Sequence, residues 1–179
     1  MTQPEVDERV QRWADEAWPL RFNSHSFGAR HYNTLRCRII YDNYSFTRLT
    51  GDEPKGGPYS PDWKDDWSGG YTPYRSDLLT PVEIAWTSLD GSEHATTVDL
   101  DAIFKGSLVL HDVKREDVPV GWLAAWGKDP LPVHILLEVN DRAVNVYFKA
   151  HVTTIDEQEP GNPRSHHRKD LILAWTHTY

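Results

Sequence analysis

The chain has one cysteine and one methionine among its 179 residues. A lone thiol excludes an intrachain disulfide and any cysteine-rich zinc site. Cys37 lies in the apolar run LRCRIIY and reads as a buried, inert thiol. No apolar run approaches the length that spans a bilayer, so no membrane partner is expected. The first residues, MTQPEVDERVQRW, include acidic side chains and lack the apolar stretch of a secretory signal. The expected location is therefore cytoplasmic, or periplasmic only for a form from which a leader has been removed. Positive charge is also scarce: 19 Lys and Arg against 27 Asp and Glu leave a net charge of -8. That balance repels a phosphate backbone, so no nucleic acid is expected as partner. A basic protein surface would be attracted, and the same acidity also serves solubility.

Catalytic signatures are missing too. There is no GxGxxG opening a βαβ unit, no P-loop and no HExxH. The chain has nine histidines, but His25 and His31 are spaced for neither a helix pair nor a strand pair. His166 and His167 sit beside Arg164, Arg168 and Lys169, whose charges oppose a metal cation. Ser24 and Ser26 flank His25 without a GxSxG elbow. The carboxylate neighbours Asp65–Asp66 and Glu116–Asp117 have the look of solvated turns, and an acidic-pair hydrolase would need a defined separation between them. The run DWKDDWSGG lacks the every-second-residue carboxylates of a calcium loop. These omissions predict a protein that is not an enzyme and that holds no metal and no cofactor.

What is present is a β pattern. Residues 3–17 predict a helix: Thr2 and Glu5 have capping-box spacing, Val6, Val10, Trp13, Ala14 and Ala17 fall on one stripe, and Pro19 ends it. Beyond it the hydrophobic period is two. In TLRCRIIYDN, Leu35, Cys37, Ile39 and Tyr41 alternate with Arg36, Arg38, Ile40 and Asp42. Residues 81–100 form a hairpin around Asp90-Gly91, a dipeptide suited to a type I′ turn, and residues 133–152 form another around 140–142. LVLHDV adds a short strand, and DLILAWTHTY closes the chain as a strand paired inside a sheet. The expected fold is mainly β, an antiparallel β-sandwich or open barrel with one N-terminal α-helix, in a single domain over 1–179. Trp122 and Trp126 in GWLAAWG, with apolar neighbours, read as core.

Two connections stand out: the polar residues 156–170, and residues 43–80, far longer than a usual loop. Within the latter lies YSPDWKDDWSGGYTPYRSD, residues 59–77, with two Trp and three Tyr. Between Gly51 and Leu79 six carboxylates face three cations. Aromatic rings supply contact area at low rotamer cost and are enriched at interface hot spots; carboxylates around them steer a basic partner. Tyr59, Asp62, Trp63, Asp65, Asp66, Trp67, Tyr71 and Tyr74 are therefore the candidate partner-binding residues, with Trp63 or Trp67 as anchor. The competing reading folds Trp63 and Trp67 back as a lid on the β-structure.

Three segments, RFNSHSFGARHYNTLRCRIIYDN, VEIAWTSLDGSEHATTVDLDAIF and LVLHDVKRED, together resemble small bacterial proteins encoded beside type VI secretion effectors, generally taken as cognate immunity proteins. The resemblance covers residues 18–118 and assigns no functional residues. It implies a non-catalytic protein that neutralises a cognate toxin or effector by direct binding. Many members carry a lipoprotein leader, which is not found here. The same surface chemistry would also suit a carbohydrate-binding module with Trp and Tyr platforms.

Overall fold

The computed structural model describes residues 7–47, 52–128 and 133–179. The chain is mainly β, and no closed barrel is formed among the described residues. Helix α1 runs Glu8–Glu16. Asp7 caps it, its carboxylate accepting from Arg9 N at 2.8 Å; the expected Thr2–Glu5 capping box lies outside the described residues. Then follow β1 (His25–Tyr32), β2 (Thr34–Tyr41), β3 (Tyr44–Ser45), β4 (Val82–Ser88), β5 (Glu93–Val98), α2 (Leu100–Ile103), α3 (Val120–Lys128), β6 (Val133–Asn140), β7 (Ala143–Lys149), β8 (Val152–Thr153), β9 (His167–Arg168) and β10 (Leu171–Thr178).

Two four-stranded sheets, ordered β1-β6-β7-β10 and β3-β2-β4-β5, carry the fold, with β8-β9 as a small ribbon. Both sheets feed one apolar core. The second sheet contributes Cys37, Ile39 and Tyr41 from β2 and Val82, Ile84 and Trp86 from β4. The first contributes Val133, Ile135, Leu137 and Val139 from β6 and Val144, Val146 and Phe148 from β7. Phe27 of β1 stacks on Tyr41 at 4.2 Å between ring centroids, joining the two. Each such aliphatic side chain removed from water stabilises the fold by about 1.5–3 kcal/mol. The outer face of the second sheet is solvated and charged, with Arg36 paired to Glu93 at 2.8 Å. The first sheet is covered on both faces, which is where the site arises.

Both hairpins form as expected, β4 with β5 and β6 with β7. The turn of the first differs: only Gly91 is left-handed, at φ +85°, so a four-residue loop replaces the type I′ turn. There the Asp90 carboxylate accepts from Ser92 N at 2.9 Å and Ser88 Oγ at 2.7 Å.

Four expectations are corrected. First, β1 pairs with β6 in parallel, so the sheets are not purely antiparallel. β1 escapes a period-two reading because HSFGARHY is largely buried on both faces, leaving no polar side to alternate. Second, β10 is an edge strand; its bulge between Leu173 and Trp175 is a common edge feature. Third, LVLHDV is not a strand. Leu108 makes only an isolated bridge with Arg21, while Val109 and Val113 are still buried in the core. Fourth, the N-terminal helix is not alone. GWLAAWG lies on α3, started by Pro119, whose carbonyl accepts from Trp122 N and Leu123 N at 3.1 Å each. The i, i+4 tryptophans are its helical signature, hidden by its glycines and by the lack of a polar face to mark a stripe.

Candidate functional site

Residues 63–69 lie across the face of the first sheet that points away from the shared core, and the segment then passes the β1 edge, where Tyr71 bridges Phe27. Strand parity sets that face: Ser26, Gly28, Arg30 and Tyr32 from β1, His134, Leu136, Glu138 and Asn140 from β6, and Asn145, Tyr147 and Lys149 from β7 alternate with the core residues. Three successive turns shape the segment, with Trp63 N donating to Ser60 O (3.4 Å), Asp65 N to Asp62 O (3.0 Å) and Trp67 N to Lys64 O (3.1 Å). They put both tryptophans on one side, facing the sheet.

Trp63 is 6% exposed and Trp67 2%, their ring centroids 5.0 Å apart. They form a second apolar cluster with Tyr32 and Leu136, against which Tyr147 and Leu171 pack. The Arg30 guanidinium lies over both rings, at 5.4 and 5.5 Å from the centroids, a favourable cation–π placement.

Polar groups fasten the segment. Glu138, 2% exposed, pairs with Lys64 Nζ at 3.0 Å. It also accepts from Tyr147 OH at 3.0 Å and from the Asn140 and Asn145 amides at 3.3 Å each. Burial works against the Lys64 ammonium, but hydrogen bonds with Tyr147 and Glu138 outweigh it and leave its pKa raised. Lys149, 5% exposed, donates to the carbonyls of Asp65 and Trp67 at 2.9 Å each. Burial, then the nearby Lys169, lowers its pKa. Gly69 N donates to His134 Nδ1 at 3.3 Å. Further on, Tyr71 and Phe27 exchange backbone hydrogen bonds at 2.7 and 3.1 Å. His25 closes the far end. Its Nδ1–H donates to Ser76 O at 2.7 Å, which leaves Nε2 to accept from Tyr41 OH at 2.6 Å. Burial lowers the His25 pKa, keeping the ring neutral.

Backbone proximity depends on two glycines. A Cβ on Gly28 would stand 3.2 Å from Gly69 Cα and 3.1 Å from Leu136 Cδ2; one on Gly69 would stand 2.6 Å from Ser26 Oγ. A side chain at Gly69 would force a local shift, and one at Gly28 would require its neighbours to give by a few tenths of an ångström.

The eight candidate residues therefore divide. Trp63 and Trp67 are buried as a lid, and neither is presented as an interface anchor. Tyr71 is half-buried, its ring stacked on Tyr44 at 4.7 Å and its hydroxyl donating to Asp42 at 3.1 Å. Tyr59 and Tyr74, 85% and 95% exposed, face solvent, as do Asp62, Asp65 and Asp66. Glu116 and Asp117 sit exposed in a single 3-10 turn. Sequence reasoning missed Lys64, His134, Glu138 and Lys149. The readable signal was Glu138 inside the otherwise apolar ILLEV, on the same sheet face as Asn145, Tyr147 and Lys149 of β7.

No group of three or more His, Cys, Asp or Glu able to hold a metal ion occurs among the described residues. No helix among them is long and apolar enough to cross a membrane. No protein-family model, curated protein or solved structure matches the chain.

Proposed function

We propose that this chain is a non-catalytic binding protein that acts in the cytoplasm as an immunity protein, neutralising a cognate toxin or secreted effector with a basic surface by direct binding. The observation that carries the reading is the division within residues 59–77. The segment is fixed to a sheet by buried tryptophans and ionic contacts, yet it offers solvent Tyr59, Tyr74, Asp62, Asp65 and Asp66. Exposed rings on a pre-ordered segment lose little entropy on association, and the carboxylates around them would speed encounter with a basic partner. The interface assigned to the rings thus moves from the tryptophans to the two tyrosines. Stacking of sugars on Trp63 and Trp67 is disfavoured by the burial of both rings.

The test is coexpression with a toxic effector encoded next to the gene for this chain. Wild-type chain is expected to restore growth and to bind the purified effector. A Y59A/Y74A variant that melts like wild type is expected to bind weakly, each truncated anchor costing on the order of 2 kcal/mol of affinity. D62N/D65N/D66N should mainly slow association and flatten its salt dependence. No protection by folded wild-type chain, or full affinity in Y59A/Y74A, would overturn the assignment.

A further inference from the structure

A cleft of about 200 Å³ opens where the segment leaves the sheet. Its lining brings together Asp66 and Ser68 from the segment, His134 at the start of β6, Lys149 at the end of β7, His151, and Lys169 just before β10. In a chain of net charge -8, this lining carries two lysines and two histidines against one carboxylate.

The donors in this cleft are incompletely used. Gly69 N–H can only donate, so the Nδ1 that it reaches at 3.3 Å is an acceptor, which the Ser26 hydroxyl, 2.5 Å from the same atom, meets as a donor. The His134 proton therefore sits on Nε2, which has no partner among the described residues. The Lys149 ammonium has three donors and gives two to the Asp65 and Trp67 carbonyls; the third has no protein acceptor among those residues. Lys169 makes no hydrogen bond or ion pair there either. Electrostatics points the same way. Burial lowers the pKa of His151, and the neighbouring His167 and Lys169 lower it further. Burial and then Lys169 lower the Lys149 pKa as well, Asp66 and Asp65 offsetting this in part. Positive potential with free N–H donors in a concave site is what a compact oxyanion requires. The lysines repel a metal cation, and a single cleft of this size does not follow a polymer backbone.

We propose that this cleft binds a phosphate group, held by Lys149, Lys169 and the Nε2–H of His134, with Ser68 and His151 at its margin. The group comes either from free inorganic phosphate or from the monoester of a small metabolite. The proposal does not rest on the partner-binding reading: its five ligating or marginal residues lie outside that interface, and Asp66 alone lines the cleft and belongs to both.

The experiment is a titration of the full chain with inorganic phosphate at constant ionic strength, read by amide chemical shifts at Gly69, Ala150 and His151 and by calorimetry. Saturable shifts confined to these positions are expected, with no response to chloride. K169Q, an exposed change that should leave the melt unaltered, is expected to weaken binding about tenfold, the loss of one charge-assisted hydrogen bond. H151Q should weaken it less. Glycerol phosphate binding more tightly than inorganic phosphate would identify a monoester as the ligand; equal or weaker binding would identify the free ion. Absence of saturation at millimolar phosphate, equal shifts with chloride, or undiminished affinity in K169Q would overturn the proposal.

Discussion

Two pairs of tryptophans in this protein have the same spacing and nearly the same geometry, and they are held in place by different physics. Trp122 and Trp126 stand 5.0 Å apart at 44°, Trp63 and Trp67 5.0 Å apart at 42°. The first pair rides on α3, which packs against α1; Trp126 enters the main core and donates Nε1–H to Arg21 O at 2.8 Å. Its position follows from helical periodicity and apolar contact. The second pair rides on turns with no regular period and reaches the sheet through cation–π contacts, a buried carboxylate and lysine-to-carbonyl hydrogen bonds. An apolar pair in a helix is placed by its own neighbours in sequence. A pair in a loop is placed by residues some 70 to 85 positions away, such as Glu138 and Lys149.

The largest effect that separates them is expected from W126A. Removing a core ring should cost about 3–5 kcal/mol, with loss of the whole cooperative transition in a denaturant melt. W67A is expected to cost less, about 2–3 kcal/mol, because the loop can peel away without opening the main core. Amide exchange would show the difference: W67A should release the amides at positions 65, 67 and 71 while the β6 and β7 amides stay protected. Uniform loss of protection in W67A would erase the distinction.

Next in size is the ionic fastening. E138Q keeps the shape and removes the charge, and should cost about 2 kcal/mol through weakened bonds to Lys64 and Tyr147. K64M/E138L should be milder than the sum of its single changes, since replacing both partners leaves no buried charge unpaired. Strict additivity in that cycle would show that the pair does not hold the loop.

The smallest expected effect is a pH response confined to the loop. His25 and His134 hold Ser76 and Gly69, and both have pKa values lowered from 6.5, chiefly by burial. A histidine depressed in the folded state binds protons more readily when unfolded, so its contribution is complete above pH 6.5 and is lost as pH falls below it. Protonation would also remove the acceptors that receive Tyr41 OH and Gly69 N–H. Exchange at 63–76, corrected for intrinsic rate, should therefore accelerate on acidification below pH 6.5, ahead of exchange in α3. Parallel acceleration in both regions would contradict this.

The same contrast explains what could be read from the sequence. The two hairpins were legible because alternation is a local signal and their turns carry Gly91 and a left-handed Asp141. Helix α3 was obscured by its glycines and largely apolar sequence, and β1 by burial of both faces. In the candidate site, the aromatic and acidic character of residues 59–77 was plain, but the direction of its rings was not. Rings four apart satisfy an outward and an inward reading equally until the strand face carrying Glu138 and Lys149 is known. Glu138 stands out within its own strand, but its role, like that of Lys149, acquires meaning only when β6 and β7 are registered side by side.

The Gly28–Gly69 approach has a consequence for how the chain can vary in length. With backbone lying on backbone at that crossing and Tyr71 paired to Phe27 two residues on, the stretch from Trp63 to Tyr71 is measured against fixed points at both ends. An inserted or deleted residue there would put either the tryptophans or Gly69 out of step with the sheet. Outside the stretch the connection is held at separate points, at Lys55 against Thr34 and at Ser76 against His25, and the residues between those points and the stretch are not measured against the sheet in this way. Homologous chains would thus be expected to keep one constant nine-residue spacer within a connection whose total length is free to drift.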